Sequence, residues 1–253
     1  MENLYCGDCL EIMPSIQDGS IDMILCDLPY GKTKNKWDSI ISIDLLWKEW
    51  LRICKKNAVI VLFGQDKFTA KLMLSQEKIH RYNLIWKKGD RTSGFLNAKK
   101  MPLRNHEDII IFYRKTPVYN PQFSDGIPLH SMGTRFLDAS TQKNNNYGKF
   151  IKGAEQEKRK GSTKKYPKSV LNFERPHPPI HPTQKPVDLL EYLIKTYTNE
   201  WDRVLDNCMG SGSTGVACKI QKRHFVGIEK EKKYFDMAQK RIEQTIPQIR
   251  LAI

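Results

Sequence analysis

The sequence predicts an α/β fold: a mostly parallel sheet with helices on both faces, assembled from the two ends of the chain around an irregular basic insertion. Three observations predict it. Residues 21–63 read strand, helix, strand, and residues 203–246 read strand, helix, strand, helix, the order that joins parallel neighbours by crossover helices. The run Ala58-Val-Ile-Val-Leu-Phe63 is apolar throughout, as a strand covered on both faces must be. Between the two ends, residues 114–180 follow neither a 2.0 nor a 3.6 residue period.

Taken in order, Asn3 to Cys6 is a short strand ending at Gly7-Asp8, Leu10 to Ile16 a turn or two of helix, and Ile21 to Cys26 a second strand. Over residues 44–56, Leu46, Trp50, Ile53 and Cys54 share one face opposite charged residues, which predicts a helix that Asp44 can cap. Ala58 to Phe63 is the third strand, Phe68 to Lys78 a helix, and Tyr82 to Trp86 and Asp108 to Tyr113 two further strands. Lys87 to Gly94 is a basic, glycine-bearing loop expected to be mobile, and it reads equally as a functional loop or a solvated connection. Regular structure is expected to resume only after Pro186, with a helix over Val187 to Thr198 entered through that proline. A strand at Arg203 to Asp206, a helix at Ser213 to Lys222, a strand at His224 to Ile228 and a helix at Tyr234 to Ile246 follow. The expected division is one core from 1–113 and 181–253, and an insertion over 114–180.

Composition narrows the partners. Hydrophobic residues make up 40% and charged residues 28%, ordinary values for a globular chain, and no apolar run reaches the length of a membrane span, so no membrane partner is expected. The opening Met1-Glu2-Asn3 does not resemble a secretory signal, and a cytoplasmic location is expected. The formal charge of +14 attracts polyanions, with nucleic acid the natural partner. The excess is local: between Lys143 and Lys168 there are nine Lys/Arg against two Glu, interleaved with Tyr147, Phe150 and Tyr166. Lys143, Lys149, Lys152, Lys158, Arg159, Lys160, Lys164 and Lys165 are the candidate nucleic-acid contacts, in a segment that reads alternatively as a disordered linker. Metal is not expected, because Cys6-Gly7-Asp8-Cys9 has no second thiolate pair and prolines at 176, 178, 179 and 182 deny His177 and His181 a shared helix face.

Gly210-Ser-Gly212-Ser-Thr-Gly215 fits Gly-x-Gly-x-x-Gly between a strand and a helix, and Glu229 ends the next strand 19 positions after Gly210. This pattern permits close backbone approach and offers a carboxylate to ribose hydroxyls; it specifies a nucleoside without saying which. Only 38 residues follow Gly215, so the rest of the sheet must come from residues 3–113. A nucleoside at this turn then lies near Asp8 and Asp27-Leu28-Pro29-Tyr30, since all leave the carboxyl edges of parallel strands. In that tetrapeptide Pro29 fixes its own φ and holds Leu28 out of the helical region, which sets the direction of the Leu28 carbonyl between a carboxylate and an aromatic face. Alone, the same four residues read first as a strand followed by a Pro-containing turn with a surface tyrosine.

Together these segments resemble the S-adenosylmethionine-dependent DNA amino-methyltransferases, in the beta group whose catalytic motif precedes the cofactor motif. Asp27-Leu28-Pro29-Tyr30 is similar to the family's Asp-Pro-Pro-Tyr, with Leu replacing the first Pro, and Asp206-Asn-Cys-Met-Gly210-Ser-Gly212-Ser-Thr214 is similar to its Asp-Pro-Phe-x-Gly-Ser-Gly-Thr turn, with Asn207 and Cys208 departing from it. His181-Pro-Thr-Gln-Lys-Pro186, Gly7-Asp8 and Gly227-Ile-Glu229 fill further family positions, and residues 114–175 are left out. The resemblance implies a circularly permuted Rossmann-like methyltransferase fold, with target recognition in the insertion. It implies transfer of a methyl group to adenine N6 in a double-stranded DNA sequence, on a flipped base, because Asp rather than Ser stands at 27. Asp27 and the Leu28 carbonyl then engage the amino group, Pro29 holds the turn, and Tyr30 stacks on the base. For S-adenosylmethionine it implies Glu229 at the ribose, Asp8 and Cys9 at the adenine end, Asp27, and Asp206, Asn207, Gly210, Ser211, Gly212, Ser213 and Thr214 at the methionine end, with Thr183 and Lys185 at its carboxylate. A homodimer and a cognate restriction enzyme are compatible partners. Other readings stay open: a cytosine-N4 enzyme, an NAD-dependent oxidoreductase, a catalytically silent DNA-binding protein, or a methyltransferase acting on RNA or protein glutamine.

Overall fold

The computed structural model describes residues 2–31, 41–127, 162–178 and 184–246, and the backbone of 143–144 and 148–149. Its strands are β1 (Glu2–Cys6), β2 (Ile21–Cys26), β3 (Cys54–Gly64), β4 (His80–Lys87), β5 (His106–Tyr113), β6 (Ser124–Asp125), β7 (Lys143–Asn144), β8 (Gly148–Lys149), β9 (Lys164–Lys165), β10 (Val170–Asn172), β11 (Arg203–Asp206) and β12 (His224–Glu229). The helices are α1 (Cys9–Ile12), α2 (Ile43–Ile53), α3 (Lys67–Ser75), α4 (Val187–Tyr197), α5 (Ser213–Ile220) and α6 (Lys232–Glu243). Among the described residues, no helix is long and apolar enough to cross a membrane.

One eight-stranded sheet has the order β1-β12-β11-β2-β3-β5-β4-β10, so strands from both chain ends alternate across it. Every neighbour pair is parallel except β3 with β5 and β5 with β4; β5 alone runs against the other seven. The central strands bury both faces with a period of two. Met23, Leu25, Val59, Val61, Phe63, Ile109 and Ile111 pack with Leu189 and Leu193 of α4, Ala217 of α5, and Ala238 and Ile242 of α6. Ile24, Cys26, Ile60, Leu62, Ile110 and Phe112 face the opposite way, against Leu46, Trp50 and Ile53 of α2 and Phe68 and Leu72 of α3. Burying each such side chain contributes roughly 1.5–3 kcal/mol, which is why neither face tolerates polar interruption.

Three local expectations are corrected. The helix expected over 44–56 stops at Ile53: Cys54 is extended (φ −75°, ψ 135°) and pairs with Ile21, while the Ser20 N–H donates to the Ile53 carbonyl at 2.8 Å. Ladder pairing therefore overrides the helical spacing of Cys54. Asp44 lies inside the first turn of α2, and Ser42 occupies the capping position without a side-chain hydrogen bond. Regular structure also resumes before Pro186, because β10 pairs with β4 (Val170 with Ile85, Leu171 with Trp86, Asn172 with Lys87) and buries Leu171. A three-residue strand is too short to carry a period.

The chain forms two compact units, one of Met1–Asn120 with Lys168–Ile253 and one of Pro121–Pro167. The second unit contains the pairs β6–β9 and β7–β8, the Gly126 N–H donating to the Thr163 carbonyl at 2.9 Å, and the rings of Phe123 and Tyr166 with centroids 4.9 Å apart.

Strand β12 lies tightly against the glycine turn: a Cβ on Gly227 would stand 2.4 Å from Met209 Sδ and 2.6 Å from Phe225 Cε1. Gly227→Ala is expected to destabilise the fold by roughly 1–3 kcal/mol through overpacking, measured as a lowered thermal or denaturant midpoint. An unchanged midpoint would show that the turn yields freely.

Candidate active site

Because seven strands share one direction, their carboxyl ends define a single edge, and ligands of open α/β sheets sit outside it. A cavity of about 710 Å3 opens there, within the roughly 300–1,000 Å3 of small-molecule sites. Its walls come from the ends of β1 (Gly7 to Cys9), β2 (Asp27 to Tyr30), β11 (Asp206 to Ser211) and β12 (Glu229 to Glu231). The reversed β5 contributes its first residues instead of its last, which brings Glu107 to the same edge.

Asp27 is the centre of one wall. Its Oδ1 accepts the Tyr30 hydroxyl at 3.0 Å, and its Oδ2 accepts the Lys185 ammonium. Lys185 Nζ also stands 3.3 Å from Glu107 Oε2 and 4.8 Å from the centroid of the Phe63 ring. Glu107 Oε1 in turn accepts Lys88, whose side chain is buried. The four groups alternate in sign: Asp27, Lys185, Glu107, Lys88. Burial works against the Lys185 charge, but the two carboxylates outweigh it and hold the amine above the usual lysine range. Burial likewise opposes ionisation of Glu107, and Lys185 and Lys88 outweigh it, leaving Glu107 below the usual carboxylate value. At Asp27 burial prevails over Lys185, with the Glu107 charge adding to it, so its carboxyl is raised. Asp27 is thus the most basic carboxylate of the chain of charges. Tyr30 leans on Phe68, with centroids 4.7 Å apart and planes at 35°, which fixes its ring at the cavity wall.

The glycine turn forms the other wall. Gly210 donates its N–H to Glu229 Oε2 at 2.9 Å and Glu231 its N–H to Glu229 Oε1 at 2.9 Å, while the Met209 N–H reaches the Ile228 carbonyl at 3.0 Å. Each Glu229 oxygen keeps a lone pair for a hydroxyl of a ligand. Asp8 Oδ1 accepts the Leu10 N–H at 2.9 Å and Oδ2 the Lys230 ammonium at 3.0 Å. Asn207 Oδ1 accepts the indole N–H of Trp50 at 3.0 Å, tying the turn to α2. From α6, the Arg241 guanidinium donates to the Ser211 carbonyl at 3.0 Å and to Ser213 Oγ at 2.9 Å.

Of the residues proposed from sequence, Asp8, Cys9, Asp27, Leu28, Pro29, Tyr30, Lys185, Asp206, Asn207, Gly210, Ser211, Ser213, Thr214 and Glu229 line this cavity. Gly212 does not. It caps α5 at φ 75°, and a Cβ there would stand 2.9 Å from the Cβ of Ala238, so it serves close packing of α5 on α6. Lys185, expected at a methionine carboxylate, has its amine committed to Asp27 and Glu107. Thr183, Lys152, Lys158, Arg159 and Lys160 lie outside the described residues, as do the side chains of Lys143 and Lys149. Lys164 and Lys165 form β9 in the second unit, Lys164 exposed and Lys165 half-buried. Sequence reasoning missed Glu107 and Lys88. An acid opening an apolar strand would be the only signal, and it points to the carboxyl edge only once that strand is known to be antiparallel.

Asp206 accepts the Thr214 hydroxyl at 2.6 Å and the Cys208 N–H at 3.1 Å, yet burial pushes its carboxyl up to about 6. The folded state therefore binds a proton more tightly than the unfolded chain. The resulting stability is full below about pH 4 and is lost as pH rises through about 6. In Asp206→Asn this dependence should vanish, so the stability difference between variant and wild type should change by about 3 kcal/mol over that window in denaturant titrations. A difference that stays constant with pH would refute the assignment.

A DNA methylase family model, N6_N4_Mtase, matches residues 21–240. The type II methyltransferase M2.MboI of Moraxella bovis is 28% identical over 270 residues, covering 97% of this chain and 89% of that protein. Among solved structures, the M1.HpyAVI complex with SAM aligns at a TM-score of 0.63 and 24% identity over 95% of this chain and all of that one. The cytosine-N4-specific PvuII DNA methyltransferase aligns at 0.67 and 15% identity over 95% of this chain and 86% of its own; these two likenesses show the fold. With the family model spanning both walls of the cavity, the chain belongs to the DNA methylase family.

Proposed function

We propose that the chain transfers a methyl group from S-adenosylmethionine to the N6 amino group of adenine in a specific double-stranded DNA sequence, with the base flipped into the cavity. The observation that carries this reading is that Asp27, a basic and partly desolvated carboxylate, shares one cavity with the Glu229 and glycine-turn wall. The donor set there fits the cofactor: Glu229 and Asp8 offer acceptors to ribose hydroxyls and adenine, and Gly210, Ser211, Ser213 and Thr214 border the space beyond them. When bound, S-adenosylmethionine supplies an electrophilic methyl group on a sulfonium, so no metal is required.

The chain's own residues deal with a poor nucleophile. The lone pair of an exocyclic amine is delocalised into the ring, and Asp27 with the Leu28 carbonyl counters this by accepting its two hydrogens. A raised carboxyl pKa makes Asp27 a stronger acceptor, able to hold the proton that leaves nitrogen as the new bond forms. Lys185 keeps Asp27 oriented and ionised before the base arrives, and Glu107 holds Lys185 in place. The negative face of Tyr30 favours the positive charge that develops on the base. Catalysis is positioning and electrostatics. Asp at position 27 supports adenine over cytosine, and the lysine-rich stretch between Lys143 and Lys168 supports target recognition by the second unit. A cognate restriction enzyme is the cellular partner this reading names, supported by the type II designation of the Moraxella relative.

DNA from a methylation-free host expressing the chain should contain N6-methyladenine at one sequence context, read by nucleoside mass spectrometry and by sequencing of modified positions. N4-methylcytosine in its place would replace adenine with cytosine as substrate, and absence of both would overturn the reading. Asp27→Ala should lower transfer by at least about 10²-fold while S-adenosylmethionine binding persists. Lys185→Met removes the charge that holds Asp27 ionised, so the acid limb of its rate profile should move to higher pH; a limb that does not move would exclude that role.

A further inference from the structure

The segment between β4 and β5 leaves and re-enters the sheet at the carboxyl edge, and its residues Lys88 and Ser93 line the cavity. Its neck is fixed. Ser93 and Arg104 exchange two backbone hydrogen bonds at 2.7 and 3.0 Å, the Lys88 N–H reaches the Asn105 carbonyl at 2.8 Å, and the Arg104 guanidinium pairs with Asp66 at 2.5 Å. Its tip is ordered as well: Gly94, at φ 87°, opens a single 3-10 turn over Phe95–Asn97, closed by Ala98 and Met101 N–H groups donating to the Phe95 and Asn97 carbonyls at 3.0 Å each. This turn holds Phe95 81% and Leu96 98% exposed, the latter the most exposed large hydrophobic side chain among the described residues. Of the six cations between Lys87 and Arg104, Lys88 is buried on Glu107 and Arg104 is paired with Asp66, which leaves Lys87, Arg91, Lys99 and Lys100 exposed, against the single acid Asp90.

Two adjacent apolar side chains held in water forgo the stabilisation that burial would give, so a hydrogen-bonded turn that displays them is built for an apolar partner. The surrounding cations specify that partner's outer surface as anionic. Stacked bases between two phosphate chains meet both demands at once, whereas an apolar protein patch has no use for a rim of four exposed cations. Resting on the function proposed above, we propose that Phe95 and Leu96 form a wedge that enters the duplex beside the target base and fills the space it vacates. Flipping a base forfeits its pairing and stacking, and apolar wedges between base steps are an established means of offsetting that loss. The exposed Lys87, Arg91, Lys99 and Lys100 then hold the phosphates on either side, and the extrahelical base faces the cavity that Lys88 and Ser93 border.

The test compares wild type with the doubly substituted Phe95→Ser, Leu96→Ser chain on two duplexes carrying the methylated sequence, one fully paired and one with a mismatch opposite the target base. The variant should lose at least about tenfold of its rate on the paired duplex and recover to within about threefold of wild type on the mismatched one, where flipping is already cheap. Phe95→Trp with Leu96→Met should retain the paired-duplex rate, and all three chains should bind S-adenosylmethionine alike. Equal loss on both duplexes would reduce the loop to a DNA-affinity element and overturn the wedge. An unimpaired variant would also overturn it, including one that merely changes oligomeric state. Failure of wild type to methylate either duplex would sink the proposed function itself, a result distinct from both.

Discussion

The Lys185 ammonium, held between Asp27 and Glu107, is the contact on which the rest of the structure depends. It joins three segments far apart in sequence: the end of β2, the start of β5 and the residue before the proline that opens α4. A buried cation is tolerated only where carboxylates compensate its desolvation, so Lys185 requires both acids, and removing either leaves charge stranded at the cavity wall. The reversal of β5 has a specific consequence here. In a wholly parallel arrangement the first residues of that strand would lie at the opposite edge, and Lys185 would have Asp27 alone. Glu107 spreads the interaction, keeping the lysine charged while leaving Asp27 basic.

The glycines act at a different level, by permitting close approach. Gly212, Gly215 and Gly227 each occupy positions where a Cβ would stand under 3.0 Å from Ala238, Ile242 or Met209. They let α5, α6 and β12 converge behind the turn, so Glu229 can accept N–H groups from Gly210 and Glu231 while still facing the cavity. The Gly-x-Gly-x-x-Gly pattern here divides its labour: Gly210 borders the cavity, and Gly212 and Gly215 serve the packing behind it.

Much of this was legible in the sequence. The apolar run at 58–63 and the two strand-helix-strand series defined a doubly covered sheet, and counting residues after Gly215 required that N-terminal strands complete it. The same count brought Asp27 to Tyr30 beside the glycine turn. What escaped was whatever depends on pairing partners. Cys54 continues a helical stripe yet enters β3 because Ile21 pairs with it; Leu171 belongs to a strand too short to show a period; Glu107 gains its role from strand direction alone. Lys185 was legible as a site residue, but its partner was not, because a lysine next to a proline carries no sign of which carboxylate will face it.

Charge supplies the last step. The chain carries +14 overall, yet the titratable lining of the cavity is acidic: Asp8, Asp27, Glu107, Asp206, Glu229 and Glu231 against Lys88, Arg175, Lys185 and Lys230, six acids and four bases. The sign inverts between exterior and interior. A basic exterior draws in phosphate, while an interior of slight negative excess suits a cationic methyl donor and the positive charge that appears on an amine as it is methylated. Uniform positive charge would serve DNA binding and oppose the reaction. The alternation Asp27, Lys185, Glu107, Lys88 lets both coexist, because each buried cation is neutralised locally by a carboxylate and the remaining lining, Asp8, Asp206, Glu229 and Glu231 against Arg175 and Lys230, sets the negative excess.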